Sequence, residues 1–129
     1  LTLYKRLGQT ISVEEADELR AEIMDRFGEL PEVAESLFEV HRVRLLSAPL
    51  QLLRIEAGGR GIRLHFGPRA QIDPARLLRL IQSRPKDYRL QGEKRLDYDR
   101  PLADRGERMR ALTGILKFLL PRENHETVH

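Results

Sequence analysis

Between Ser12 and Gly28 apolar residues recur at helical spacing. Ala16, Leu19, Ile23 and Phe27 share one face, and Glu14, Asp17, Glu18, Glu22 and Asp25 occupy the others. Ser12 and Glu15 form a capping box, the Ser hydroxyl accepting from the Glu15 amide and the Glu15 carboxylate returning to the Ser12 amide. Gly28 provides a left-handed stop. This pattern predicts a helix over residues 13–27. Pro31 suits the first position of a second helix, where its missing N–H costs nothing. Val33, Leu37, Val40 and Arg44, flanked by Ala34, Phe38, His41 and Leu45, give that helix a broad stripe, and Pro49 ends it by biasing Ala48 away from helical angles. The short link at 28–30 folds the two helices into an antiparallel pair.

Beyond residue 50 the period shortens. Residues 50–56 and 62–66 are apolar-rich runs separated by Ala57-Gly58-Gly59-Arg60-Gly61, and Ile62, Leu64 and Phe66 alternate with Arg63 and His65. That is strand period with one face buried, which predicts a β-hairpin. Asp73-Pro74 opens a short helix marked by Leu77, Leu78 and Ile81, ending near Ser83. Tyr88–Leu90 and Arg95–Tyr98, split by residues 91–94, read as a second hairpin. A last helix begins around Pro101, carries Leu102, Met109, Leu112, Leu116 and Leu119 on one face, and stops at Pro121. The expected class is α+β: an N-terminal antiparallel helix pair, a small antiparallel sheet of two short hairpins with an intervening helix, and a long C-terminal helix. Residues 1–121 are expected to form one domain and 122–129 a disordered polar tail.

The 129 residues are 33% charged and include no Cys, which removes disulfides, thiolate metal sites and Cys nucleophiles together. No run approaches the roughly 18 apolar residues of a membrane span. The chain opens at Leu1, inside an apolar pattern, and so reads as a piece of a longer protein. Charge is uneven. Residues 11–40 hold ten acids against Arg20 and Arg26, whereas residues 41–95 hold thirteen bases against four acids. Each block can neutralise the other or face a complementary partner.

Little of this pattern points to catalysis. His125-Glu126-Thr127-Val128-His129 matches the H-E-x-x-H of zinc hydrolases, but it follows Pro121 in a polar stretch with no helix to orient it. Gly58, Gly59 and Gly61 precede Ile62-Arg63-Leu64 rather than the Lys-Ser/Thr of a phosphate loop, so they read as a hairpin turn. His41 belongs at a core edge and His65 on a polar strand face. Glu14, Glu18 and Glu22, four residues apart, repel one another on a solvated face rather than pairing for acid–base work. No catalytic, cofactor-binding or metal-binding residue is expected. The basic 41–95 region allows weak non-specific nucleic-acid binding, although aromatic residues for base stacking are few.

Leu3-Tyr4-Lys5-Arg6-Leu7, then Glu14-Glu15 through Leu19, then Asp25-Arg26-Phe27-Gly28-Glu29-Leu30-Pro31 resemble the C-terminal domain of bacterial transcription-repair coupling factors (Mfd). The resemblance continues through Ile55–Phe66, Ala75–Ser83 and Tyr88-Arg89-Leu90-x-Gly92, covering about residues 3–120. It implies a regulatory domain without catalytic residues or cofactors, monomeric as a fragment and cytoplasmic. The parent would be an ATP-driven double-stranded DNA translocase that displaces stalled RNA polymerase and recruits excision repair through UvrA. The domain would clamp the parent's UvrB-like N-terminal module and mask its UvrA-binding surface. Arg76, Arg79, Arg84 and Arg89 are candidates for that docking surface. The signature Asp25, Arg26, Phe27, Gly28, Leu30 and Pro31 reads as structural: Phe27, Leu30 and Pro31 pin the interhelical turn, Gly28 supplies a positive φ, and Asp25 or Arg26 braces it by a salt bridge. The alternative function is a non-specific nucleic-acid-binding module built on residues 41–95.

Overall fold

The computed structural model describes residues 2–121. The chain divides into two compact units, one ending at Leu46 and the next beginning at Ser47. The 122–129 tail, with its His125–His129 motif, lies outside the described residues.

The first unit is helical: α1 (Thr2–Gly8), α2 (Val13–Phe27) and α3 (Glu32–Ser47). The limits of α2 follow from its ends. Ser12 Oγ accepts from the Glu15 N–H at 3.1 Å, and Gly28, at φ 84°, turns its N–H back to Met24 O at 2.8 Å. The Glu15 carboxylate, however, takes the N–H of Ile11 at 3.2 Å rather than that of Ser12, so the box closes one residue earlier than expected. Pro31 stands just outside α3, its carbonyl accepting the Glu35 N–H at 3.0 Å. Leu7, Ala16, Leu19 and Phe38 form the core, with Leu3, Ile23, Leu30, Leu37 and Leu45 packed on it. The sequence pattern does not predict helix α1; Leu3 and Leu7, one turn apart, give seven residues a reason to be helical that local propensity alone does not provide.

Three expected core positions are wrong here. Val33 and Val40 are exposed because α3 turns Phe38, its largest apolar side chain, inward. Phe27 is 73% exposed, so it does not pin the interhelical turn; the α2 stripe stops contributing at Ile23.

The second unit runs from a 3₁₀ turn (Ala48–Leu50) through β1 (Leu52–Gly58), β2 (Gly61–Phe66), α4 (Pro74–Ser83), β3 (Tyr88–Gln91) and β4 (Arg95–Asp99) to α5 (Arg105–Leu119). Pairing of β2 with β4 joins the two hairpins into one antiparallel sheet of order β1-β2-β4-β3. The register sorts side chains into two faces, since directly opposed residues point the same way. Ile55, Leu64, Leu96 and Leu90 form one row of the apolar face, and Ala57, Ile62, Tyr98 and Tyr88 the next, with Leu90 and Ala57 left exposed on the edge strands. The Tyr88 and Tyr98 rings lie 4.8 Å apart, and burial pushes the Tyr88 hydroxyl up to about 12. Helix α5 packs on this side through Leu112, Ile115, Leu116 and Leu119. Leu53 is the extra residue of a bulge in β1 and is exposed.

Asp73 caps α4 by accepting from the Ala75 N–H at 3.0 Å. Leu80 and Arg76, not Leu78, fill its buried face, and Leu78 is exposed. Helix α5 starts at Arg105 rather than near Pro101, because Asp104 is its cap. Leu102, before the helix, is buried and donates its N–H to Gly59 O at 2.9 Å.

Candidate interaction face

The other side of the same sheet is polar throughout. One row across the strands reads Arg54, His65, Arg95, Gln91; the next reads Glu56, Arg63, Asp97, Arg89; a third brings Gly58 and Gly61 beside Asp99. Asp99 in turn donates its N–H to Asp87 O at 2.8 Å. Alternation along each strand is the cause, and an antiparallel sheet covered on one side permits it.

Each carboxylate on this face has cations of its own. Asp97 is 3% exposed and takes both arms of Arg95, Nε at 2.7 Å and Nη2 at 3.0 Å, with Gln91 Nε2 at 3.5 Å. Glu56 accepts from His65 Nε2 at 2.6 Å, which fixes the ring proton on that nitrogen, and Arg54 Nη2 stands 3.4 Å away. The His65 hydrogen bond, followed by the nearby arginines, holds the Glu56 carboxyl below its ordinary value. Asp99 faces Arg89 at 3.8 Å, and Asp87 faces Arg100 at 3.5 Å and Arg84 at 3.9 Å. Arg63, at the centre, and Arg60, at the β1–β2 turn, form no hydrogen bond or ion pair among the described residues. At the Gly58/Gly61 end the face opens into a recess of about 370 Å³.

The four arginines expected to dock do not share a surface role. Arg76 is buried, donates Nε to Phe118 O at 2.6 Å and stacks over the Phe118 ring at 5.2 Å, so it is an internal strut joining α4 to α5 and is withdrawn as a docking residue. Arg79 is exposed on α4, Arg84 is tied to Asp87, and only Arg89 lies on the outer sheet face. In the signature, Gly28 has the positive φ expected and Leu30 packs on the helical core. Asp25 and Arg26 brace nothing by a salt bridge among the described residues; the Arg26 guanidinium lies 5.7 Å from the centre of the exposed Phe27 ring. Pro31 is exposed.

In the helical unit, ion pairs cross between helices. Arg6 grips Glu22 at 2.5 and 2.9 Å, Arg20 grips Glu35 at 2.7 and 2.6 Å, and Arg42 Nε stands 3.4 Å from Asp17. These arginine hydrogen bonds hold Glu22 and Glu35 below their usual range. His41 Nε2 lies 2.8 Å from Thr10 Oγ1, whose own proton goes to Leu7 O, so the imidazole donates and is accounted for structurally. Among the described residues no cluster of three His, Cys, Asp or Glu side chains could hold a metal, and no helix is long and apolar enough to cross a membrane. The arrangement offers charge-patterned recognition.

The family model described as the TRCF domain matches residues 1–77. The chain is 36% identical over 117 residues to the transcription-repair-coupling factor of Haemophilus influenzae, covering 91% of this chain and 10% of that protein. It is 33% identical over 109 residues to the transcription-repair-coupling factor of Escherichia coli, covering 84% and 10%. It therefore spans about a tenth of the length of these curated relatives. A crystal structure of the C-terminal domain of transcription-repair coupling factor matches with a TM-score of 0.67 at 25% identity, over 92% of this chain and 74% of that one. The resemblance drawn from the sequence and the α+β class both agree with these matches.

Proposed function

The chain belongs to the TRCF domain family, and on that premise we propose that it serves as a clamp in its parent protein. As the C-terminal domain of a transcription-repair coupling factor, it docks reversibly on a UvrB-like N-terminal module and masks the surface that UvrA binds. The parent is then an ATP-driven double-stranded DNA translocase acting on stalled RNA polymerase, and this segment contributes regulation alone. The observation that carries the reading is the match to an isolated C-terminal domain over nine-tenths of the chain. The surface chemistry supports it: a reversible contact within one polypeptide calls for a polar, charge-complementary surface rather than a large apolar one. Arg79, Arg84 and Arg89 remain docking candidates. The exposed Phe27 beside Arg26 adds the α2–α3 turn as another.

The test is UvrA recruitment by the parent with and without this segment. Deletion is expected to raise recruitment, and an unchanged level counts against the clamp. Binding of the purified chain to the isolated N-terminal module locates the interface: Arg79, Arg84 and Arg89 changed together to Glu, compared with Phe27→Ala, identifies which surface is used.

A second reading has one observation in its favour. Residues 41–95 hold thirteen Arg and Lys against four Asp and Glu. If that basic region binds nucleic acid directly, its affinity for a DNA duplex falls steeply as salt rises.

A further inference from the structure

We propose that the recess on the outer sheet face is a socket for a single carboxylate side chain of a partner protein segment, gripped by Arg60 and Arg63. The recess is lined by Glu56, Gly58, Arg60, Gly61, Arg63 and Asp99 among others, and its volume of about 370 Å³ is at the lower end of ligand-sized cavities. Two glycines make it. Gly58 and Gly61 are direct cross-strand partners, so the third row of the face has no side chains over these two strands. Gly61 is required by packing, because a Cβ there would run into the Tyr98 carbonyl oxygen at a φ of 138°. Gly58 is different: nothing lies within 4 Å of where its Cβ would stand, and its φ is not in the left-handed region. The floor at Gly58 is open although no neighbour demands it.

The charges around this floor are unequal in their commitments. Glu56 is engaged by His65 and Arg54, and Asp99 faces Arg89. Arg60 and Arg63 line the same recess with no hydrogen bond or ion pair among the described residues, Arg63 acting on its cross-strand neighbour Glu56 only at longer range. The open valence is therefore cationic, and a guanidinium fork matches a carboxylate in two parallel hydrogen bonds. A phosphate has the same chemistry, but a nucleic-acid strand brings a chain of them. Glu56 and Asp99 in the wall would repel the next phosphates, and no aromatic side chain lines the recess to stack a base. A protein segment carrying one acid among neutral residues meets both arginines without that repulsion.

The test titrates the whole chain with a fluorescein-labelled Ser-rich peptide carrying one Glu (the Glu/Ser peptide; its Gln counterpart is the Gln/Ser peptide), followed by anisotropy and by backbone amide shifts. A Gln/Ser peptide, inorganic phosphate and a single-stranded DNA oligonucleotide are the comparison arms. The Glu/Ser peptide is expected to bind and to move the amides of Gly58, Gly61 and Arg63. Arg63→Gln and Arg60→Gln should each weaken it about tenfold, the loss of one charge-assisted contact. Gly58→Leu should weaken it as much without altering charge, and Gly58→Ala does the same to a smaller degree should the larger residue perturb folding. Arg69→Gln, in the loop after β2 and outside the recess, should leave affinity within about twofold. No binding of the Glu/Ser peptide, equal binding of the Gln/Ser peptide, or retention of affinity in both Arg63→Gln and Gly58→Leu overturns the proposal. So does oligonucleotide or free phosphate that displaces the peptide and depends on the same arginines, which would make the recess a phosphate site.

Discussion

In the helical unit, ion pairs tie together elements that share only a small apolar core: Arg6–Glu22 joins α1 to α2, and Arg20–Glu35 and Arg42–Asp17 join α2 to α3. In the sheet unit, the His65–Glu56 and Arg95–Asp97 pairs lie within one face of a sheet whose opposite face is apolar and covered by α5. The same residue types thus do different work. Between helices they fix the crossing of elements; on the sheet they decorate strands already fixed by hydrogen bonds and by burial. The helical unit also leaves Tyr4, Ile11, Phe27, Val33 and Val40 exposed, whereas the sheet unit leaves Leu53, Leu78 and Leu90. A short helical segment has too little interior for all its apolar residues.

That contrast can be broken most forcefully at Phe38. Its truncation to Ala removes the largest side chain of the helical core and should cost about 3–5 kcal/mol in denaturant unfolding, with amide exchange rising first in α1–α3. An unfolding midpoint close to that of the parent chain would mean the ion pairs, not the core, hold these helices. Next comes Arg76, a buried arginine of the sheet unit. Arg76→Met keeps the bulk but strands the Phe118 carbonyl, and should cost about 1–3 kcal/mol. Substituting the exposed Arg79 in the same way serves as the neutral control.

Acid sharpens the comparison further. Glu22 and Glu35 sit below their ordinary value of 4.5 because arginines donate to them. A carboxyl depressed in the folded state contributes stability above its unfolded value, and that contribution disappears as pH falls through the folded value. Stability should therefore drop below about pH 4.5, and Arg6→Gln with Arg20→Gln should restore both carboxyl titrations, followed by carbon NMR, toward the ordinary range. A titration of Glu22 and Glu35 unchanged by those substitutions would remove the arginines as the cause. The smallest effect is expected at Phe27: Phe27→Ala should alter stability by less than about 0.5 kcal/mol, as befits an exposed side chain. A large loss would return Phe27 to the structural role that its place in the signature suggested.

Elements with local punctuation were legible in the sequence. Ser12 and Gly28 delimit α2, Asp73-Pro74 opens α4, and the Gly58–Gly61 turn joins β1 to β2. What stayed hidden depends on contacts between distant residues. Helix α1 is stabilised by packing, and the β2–β4 pairing crosses α4, so neither leaves a local trace. Burial of Arg76 and exposure of Phe27 invert what their residue types suggest, since a guanidinium can be satisfied by a carbonyl at a helix end and an aromatic ring can fall past the end of a stripe. For the candidate face, the alternation of Arg63 and His65 with apolar residues pointed outward correctly. The row that sets Gly58 beside Gly61, and the distinction between paired and unpaired arginines, required the register.

The Leu102 N–H holds the Gly59 carbonyl at 2.9 Å, and Leu102 itself is buried. The tip between β1 and β2 is thus moored to the interior by a residue some forty positions along the chain. Its conformational freedom is surrendered during folding, and an incoming ligand does not have to surrender it again. Weakening that mooring at Leu102 would then blunt recognition at a distance, with every contacting side chain still in place.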